Sequence, residues 1–213
     1  GVKYPDKNVI TLVENAKRNL AQCFAYLLKT SRDVLVVSEI TLPEEVSELV
    51  NSALRLNAGV SATMHSFSPK EVIPNLRNLM MKTPMYHDKS TAEEDIAGCI
   101  DLIIHLKRLN TGRIVVDSIH EVYSNTSWRE EFVYEEAFKK DRDFMTMQLI
   151  SLGTKYLSSL MAGKQYKLKT LFKFQEGIGW QRPESPSEQY LNKMSRYAGK
   201  EAVKKIKSIF EEV

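Results

Sequence analysis

Three side chains stand where short apolar runs end. Glu39 follows Val34–Val37 and Ser38, and Thr63 and His65 close the run Val60–His65 about one crossover later. An acid at the carboxyl end of a buried strand sits at the sheet edge where α/β folds place their ligands. There it can hold magnesium through water, or act as a general base that orients an attacking water. A histidine at the neighbouring strand end can sense a phosphate by hydrogen bonding. Each pattern alone has a plainer reading, because many buried strands end at an acid and a lone strand-end histidine is usually structural. A third segment combines Ile100-Asp101-Leu102-Ile103-Ile104 and Arg108 with Ile119-His120-Glu121-Val122. By itself it reads as a hairpin with solvent-side charges.

The elements that must position these groups follow from periodicity. Apolar residues from Val9 to Leu28 recur at helical spacing and predict a helix over 9–30. Ser31-Arg32-Asp33 breaks it. The continuous run Val34–Val37 predicts a strand buried on both faces. Pro43, with Glu44 and Glu45 behind it, opens a helix to about Leu56. Val60–His65 is the next strand, and Ser68-Pro69 starts a helix over 69–81 that Pro74 is expected to kink. Thr83–Lys89 is a polar loop ahead of a helix over Thr91–Cys99. Ile100–Lys107 and Arg113–Val122 flank Leu109-Asn110-Thr111-Gly112, a hairpin with Asn and Gly where the turn needs them. The alternation of strand and helix indicates an α/β fold.

After Tyr123 the pattern changes. Phe132, Phe138, Phe144, Met147, Ile150 and Leu157 suggest helices, Lys167–Phe174 alternates as a strand, and Pro186–Val213 is a lysine-rich helical tail. The expected division is 1–123 and 124–213.

Composition narrows the class. Of 213 residues, 43% are hydrophobic and 27% charged, the balance of a soluble globular chain. A net charge of +3 is too small to argue for nucleic acid. No apolar run approaches the roughly 20 residues a membrane span needs. Cys23 and Cys99 have no CxxC spacing, so they read as buried free thiols rather than a disulfide or zinc framework. Gly1–Lys7 carries no apolar signal-peptide core, and Gly1 without an initiator Met is read as the start of a cut piece.

Taken together and in order, the segments from Asp33 to Val122 resemble the secretion superfamily of hexameric ATPases, which power type II and type IV secretion, conjugation and pilus assembly. The tight-adherence branch looks nearest. Asp33 through Ser38-Glu39 is similar to its Walker B strand. Pro43-Glu44 matches the helix that follows. Ala62-Thr63-Met64-His65 with Ser68-Pro69 matches its histidine box. Ile100–Ile104, Arg108, Gly112, Val115 and Ile119–Val122 match its last conserved stretch. The resemblance implies the C-terminal part of a RecA-like P-loop ATPase core with a β-hairpin, followed by a mostly helical region. It implies Glu39 as the catalytic acid that positions water, with Thr63 and His65 on the γ-phosphate side. Asp101 matches a position with no catalytic role. ATP and Mg2+ would be cofactors of the full-length protein, none bound to this piece. The partners would be further copies in a homo-hexamer and inner-membrane platform proteins, at the cytoplasmic face of the membrane.

The departures are as specific as the matches. No G-x-x-x-x-G-K-[ST] occurs, and Gly163-Lys164-Gln165 is not a P-loop, so this chain has no Walker A site. The family's P-loop lies upstream of the matched segment. Its glycine before the glutamate is Ser38, and the arginine beyond is Thr41. Its helix arginines fall at Ala25 and Lys29, and its first box histidine at Asn57. The later asparagine is Phe67, and the downstream arginine falls at Asn75, two residues before Arg77. Arginines at such sites neutralise phosphate charge. Two further readings follow: a non-hydrolysing structural or regulatory paralogue, and an α/β nucleic-acid-binding domain using Lys193, Arg196, Lys200, Lys204, Lys205 and Lys207. Glu188, Glu201, Glu211 and Glu212 interleave with those bases, which favours a solvated helix face. Trp180, Tyr190 and Tyr197 are expected to pack rather than stack on bases.

Overall fold

The computed structural model describes residues 9–13, 15, 17, 19–29, 34–55, 59–124 and 166–211, with 146, 147, 150, 151, 153, 154 and 157 between them. The chain is mixed α/β and divides into two compact units, Gly1–Met64 and His65–Val213. The division falls between Met64 and His65; β4 (Ile114–Ser124) runs through position 123 and pairs with β5 (Tyr166–Gln175) in one sheet.

The first unit contains α1 (Leu20–Leu28), β1 (Leu35–Val37), α2 (Pro43–Arg55) and β2 (Val60–Ala62). The expected helix over 9–30 is shorter. Asn19 and Gln22 form a capping box: the Asn19 side chain accepts from Gln22 N at 2.9 Å, and Gln22 Oε1 accepts from Asn19 N at 3.1 Å. That reciprocal pair fixes the first turn at Leu20, and Val9–Val13 lie outside it, Val13 at 74% exposure. Pro43 opens α2 as expected, and Glu45 reaches back to the backbone N–H groups of Thr41 (2.7 Å) and Leu42 (2.8 Å). These bonds satisfy donors that the helix cannot.

β1 and β2 pair in parallel, Leu35 opposite Val60 and Val37 opposite Ala62, with α2 between them in sequence. The expectation that Val34–Val37 is buried on both faces is not met. Leu35 and Val37 are each 4% exposed, but Val36 is 75% and Val34 59% exposed. The buried apolar set of this unit, Cys23, Phe24, Leu35, Val37, Ile40, Val46 and Val50, comes from α1, β1, the turn after it and α2. That set lies against one face of β1, which therefore alternates like a one-sided strand.

In the second unit, α3 (Pro69–Met80) and α4 (Lys89–Cys99) precede a four-stranded antiparallel sheet ordered β3-β4-β5-β6, with β3 Leu102–Arg108 and β6 Gly179–Gln181. The helix runs on through Pro74 to Met80. The expected hairpin is present: Leu109 N donates to Arg113 O, Gly112 N donates to Leu109 O, and Gly112 takes φ 81°, which glycine adopts without a Cβ clash. Ile103, Val122 and Tyr166 are buried beside Ile73, Leu76, Met80, Ala92, Ile96 and Ala97 of α3 and α4. The lysine-rich tail is α5 (Glu188–Glu211), broken at Gly199, whose φ of 81° and ψ of 168° are not helical. Among positions 146–157 the described residues are helical, and Met147, Ile150 and Leu157 are exposed. Phe132, Phe138 and Phe144 lie outside the described residues, as does Asp33. Among the described residues no helix is long and apolar enough to cross a membrane.

Candidate functional site

The end of β1 is a fixed piece of backbone. Val37 closes the ladder, and buried Ile40 donates its N–H to Thr63 O at 2.8 Å. The Thr63 hydroxyl returns a hydrogen bond to Ser38 O. The backbone of Glu39 lies between these two bonds, and the residue is exposed. The structure thus brings Thr63 beside the segment that carries Glu39, and both belong to the first unit. His65 is exposed and is the first residue of the second unit. The backbone on both sides of Glu39 is thus fixed to Thr63, and a carboxylate at a fixed strand end is a group able to orient water.

Thr41, Lys29 and Phe67, where the sequence departs from the resembling family, and Arg77, two residues beyond the departure at Asn75, have other work here. Thr41 gives both its N–H and its hydroxyl to Glu45, within the start of α2. Arg77 pairs with Glu93 of α4 at 2.5 Å, the carboxylate being only 4% exposed. Lys29 supplies the C-cap of α1, and Phe67 is 96% exposed.

The second unit holds a polar network that sequence reasoning missed. Two β-bulges create it. Asp117 is an extra residue of β4 between the pairs His105–Ser118 and Leu106–Val116, and Leu171 is an extra residue of β5 between Ile119–Phe172 and His120–Thr170. A bulge re-aims side chains. Asp117 Oδ2 lies 3.2 Å from His105 Nδ1, His120 Nε2 lies 2.9 Å from Ser118 Oγ, and His120 Nδ1 lies 3.2 Å from Thr170 Oγ1. Glu184 then accepts from Thr170 N at 2.7 Å. Burial, then the charge of His105, holds His120 below its ordinary pKa. The serine–histidine contact is not a nucleophile pair, because Ser118 is 4% exposed and the far ring nitrogen meets a hydroxyl rather than a carboxylate. The spacing Ser-x-His on a strand, which puts both side chains on one face, was the available signal.

The expectation that the segment Ile119–Val122 carries solvent-side charges is overturned at Glu121. It is 2% exposed, and its carboxylate accepts from Ser187 N at 2.9 Å and from the Ser187 hydroxyl. Ser187 Oγ in turn accepts from Tyr190 N at 3.1 Å and caps α5. Asp101 is held by Lys193 at 2.5 Å. A shallow cleft between α4, β4 and α5 is bordered by these same groups, so its polar side chains are already engaged. Among the described residues no three His, Cys, Asp or Glu side chains converge as a metal site. Of the aromatics, Trp180 packs edge-on against Phe174 (5.7 Å) and Phe172 (6.3 Å), and Tyr190 is half-buried, whereas Tyr197 is 59% exposed.

Set beside known proteins, the chain matches no family model and no curated relative.

Proposed function

We propose that residues 33–122 are the Walker B half of a motor ATPase of the secretion and pilus-assembly type. Glu39 is the water-orienting acid, and Thr63 and His65 are the γ-phosphate-side residues. ATP and Mg2+ are the cofactors of the full-length protein, whose P-loop is supplied upstream. The working form is a homo-hexamer at the cytoplasmic face of the inner membrane, acting on platform proteins there. The observation that supports this reading is the bonding at the end of β1. Ile40 N to Thr63 O and Thr63 Oγ1 to Ser38 O tie the acid-bearing segment to the strand of the histidine box. Such ties give the fixed geometry that transition-state stabilisation requires.

A second reading is supported by a separate observation. Thr41 is committed to the α2 start and Arg77 to Glu93, so neither position presents a free cation to a triphosphate. On that reading the protein is a non-hydrolysing structural or regulatory subunit of the same machine. One experiment separates the two. ATP binding and turnover are measured on the full-length protein and its Glu39→Gln variant. Turnover that Glu39→Gln abolishes while binding persists supports the first reading. A P-loop-bearing full-length protein without turnover supports the second. A full-length protein that neither contains a P-loop nor binds ATP removes the nucleotide assignment.

A further inference from the structure

The outer strand of the four-stranded sheet carries an unusual combination of backbone and side-chain exposure. Among the described residues β3 has one neighbour, β4. The hairpin bonds show which backbone groups of β3 face away from it. Asp101 O accepts from Val122 N at 3.0 Å, and Leu109 N donates to Arg113 O at 2.8 Å. The odd-numbered residues at both ends of β3 therefore bond inward. The alternation of an antiparallel ladder turns the N–H and C=O groups of Leu102, Ile104 and Leu106 outward.

Those same three residues present apolar side chains on one sheet face, at 36%, 57% and 58% exposure. Ile114 of β4, opposite Arg108, extends the patch at 64% exposure. Ile104, Ile119 and Phe172 form a single cross-strand row on this face. At the β5 end of the row, Phe210 of α5 covers Phe172 with ring centroids 5.1 Å apart. The β3 end is exposed. An apolar edge strand with outward backbone groups is a template for strand addition.

We propose that β3 is the seam of a homodimer, pairing antiparallel with β3 of a second copy about a two-fold axis through Ile104. In this register Ile104 faces its own copy, Leu102 faces Leu106, and Asp101 faces Lys107. Charge and shape are then self-complementary, as an isologous interface requires. Neighbouring registers lose the Asp101–Lys107 match, and one of them also sets an apolar side chain against a cation. A shift one way sets Leu106 against Ile100 and Asp101 against His105. The other way sets Leu102 against Arg108 and Asp101 against Leu109. The Asp101 side chain remains 46% exposed beside Lys193, which leaves room for a second cation. Pairing extends the sheet to eight strands and joins the two apolar patches. The proposal does not depend on the nucleotide reading.

Sedimentation velocity across a wide concentration range tests it, together with cysteine cross-linking. The wild-type chain should show a reversible monomer–dimer equilibrium. Ile104→Lys, which sets like charges against each other at the axis, should weaken it by at least about tenfold. Hydrogen-bonded antiparallel pairs hold their Cα atoms about 5.5 Å apart, within disulfide range. Ile104→Cys should therefore form a covalent dimer on mild oxidation, and a mixture of Leu102→Cys and Leu106→Cys chains should cross-link to each other. Leu102→Cys alone should not exceed the wild-type background from Cys23 and Cys99. A chain that stays monomeric throughout overturns the proposal. So does self-cross-linking through Leu102→Cys, or an oligomer that Ile104→Lys leaves unchanged.

Discussion

Truncating Glu121 tests the link between the sheet and α5. Its carboxylate is buried and accepts two hydrogen bonds from Ser187, one from the backbone and one from the hydroxyl. Ser187 is also the N-cap of α5, through Tyr190 N and Leu191 N. Hydrogen bonds to a charged group contribute about 1.5–3 kcal/mol each, so Glu121→Ala should destabilise the second unit by about 3 kcal/mol. For a unit of this size that lowers Tm by about 6–12 °C. Glu121→Gln keeps the shape but offers one acceptor oxygen in place of two, and should recover about half of the loss. Urea unfolding followed by tryptophan fluorescence reads this unit through Trp180 on β6. A cycle with Ser187→Ala should give a coupling of about 1–2 kcal/mol. A loss below about 1 kcal/mol with no coupling to Ser187 would refute the reasoning.

Three further outcomes are expected. Because His120 titrates below its ordinary value when folded, the unfolded chain takes up the proton first as pH falls. Stability should therefore decline below about pH 6.5 and level off under the folded pKa, with the decline smaller in His120→Gln when urea midpoints are compared from pH 8 to 5. Arg77→Ala removes the cation beside nearly buried Glu93 and should lose about 2–3 kcal/mol, while Arg77→Met with Glu93→Leu loses less; chemical denaturation of both variants checks the order. Burial, then the charge of Asp95, pushes the Cys99 thiol up to about 11. At pH 8.5 native Cys99 should alkylate about a hundredfold more slowly than in the urea-unfolded chain, read by peptide mapping.

Local signals were legible in the sequence, and long-range ones were not. Pro43 and the Gly112 turn announced α2 and the hairpin, because each sets backbone geometry by itself. The apolar spacing from Val9 suggested a longer α1, yet the Asn19–Gln22 capping box decides where that helix starts. Val34–Val37 looked buried on both faces because a run of four apolar residues does not reveal how many layers cover it. Glu121 looked solvent-facing because its partner, Ser187, lies 66 residues away. The bulges at Asp117 and Leu171 leave no sequence signature, although they aim the His105 and His120 contacts.

The candidate site divides along the same line. The ends of both runs were readable, and Thr63 does sit beside the segment that carries Glu39. What the structure adds is the occupation of the surrounding positions. A phosphate site needs cations whose charge is available to the ligand, since a guanidinium already neutralised by a buried carboxylate contributes little field outside its pair. Arg77 is in that state, and the backbone and hydroxyl of Thr41 serve the α2 terminus. Redirecting Arg77 to a nucleotide would take that cation from Glu93 at 3% exposure, an arrangement unfavourable by about 2–3 kcal/mol, the same loss expected for Arg77→Ala. On the proposed ATPase reading, the charge required for turnover would have to come from outside the described residues. Without such charge, the proposal that fits is the non-hydrolysing one, and the turnover assay on Glu39→Gln decides between the two.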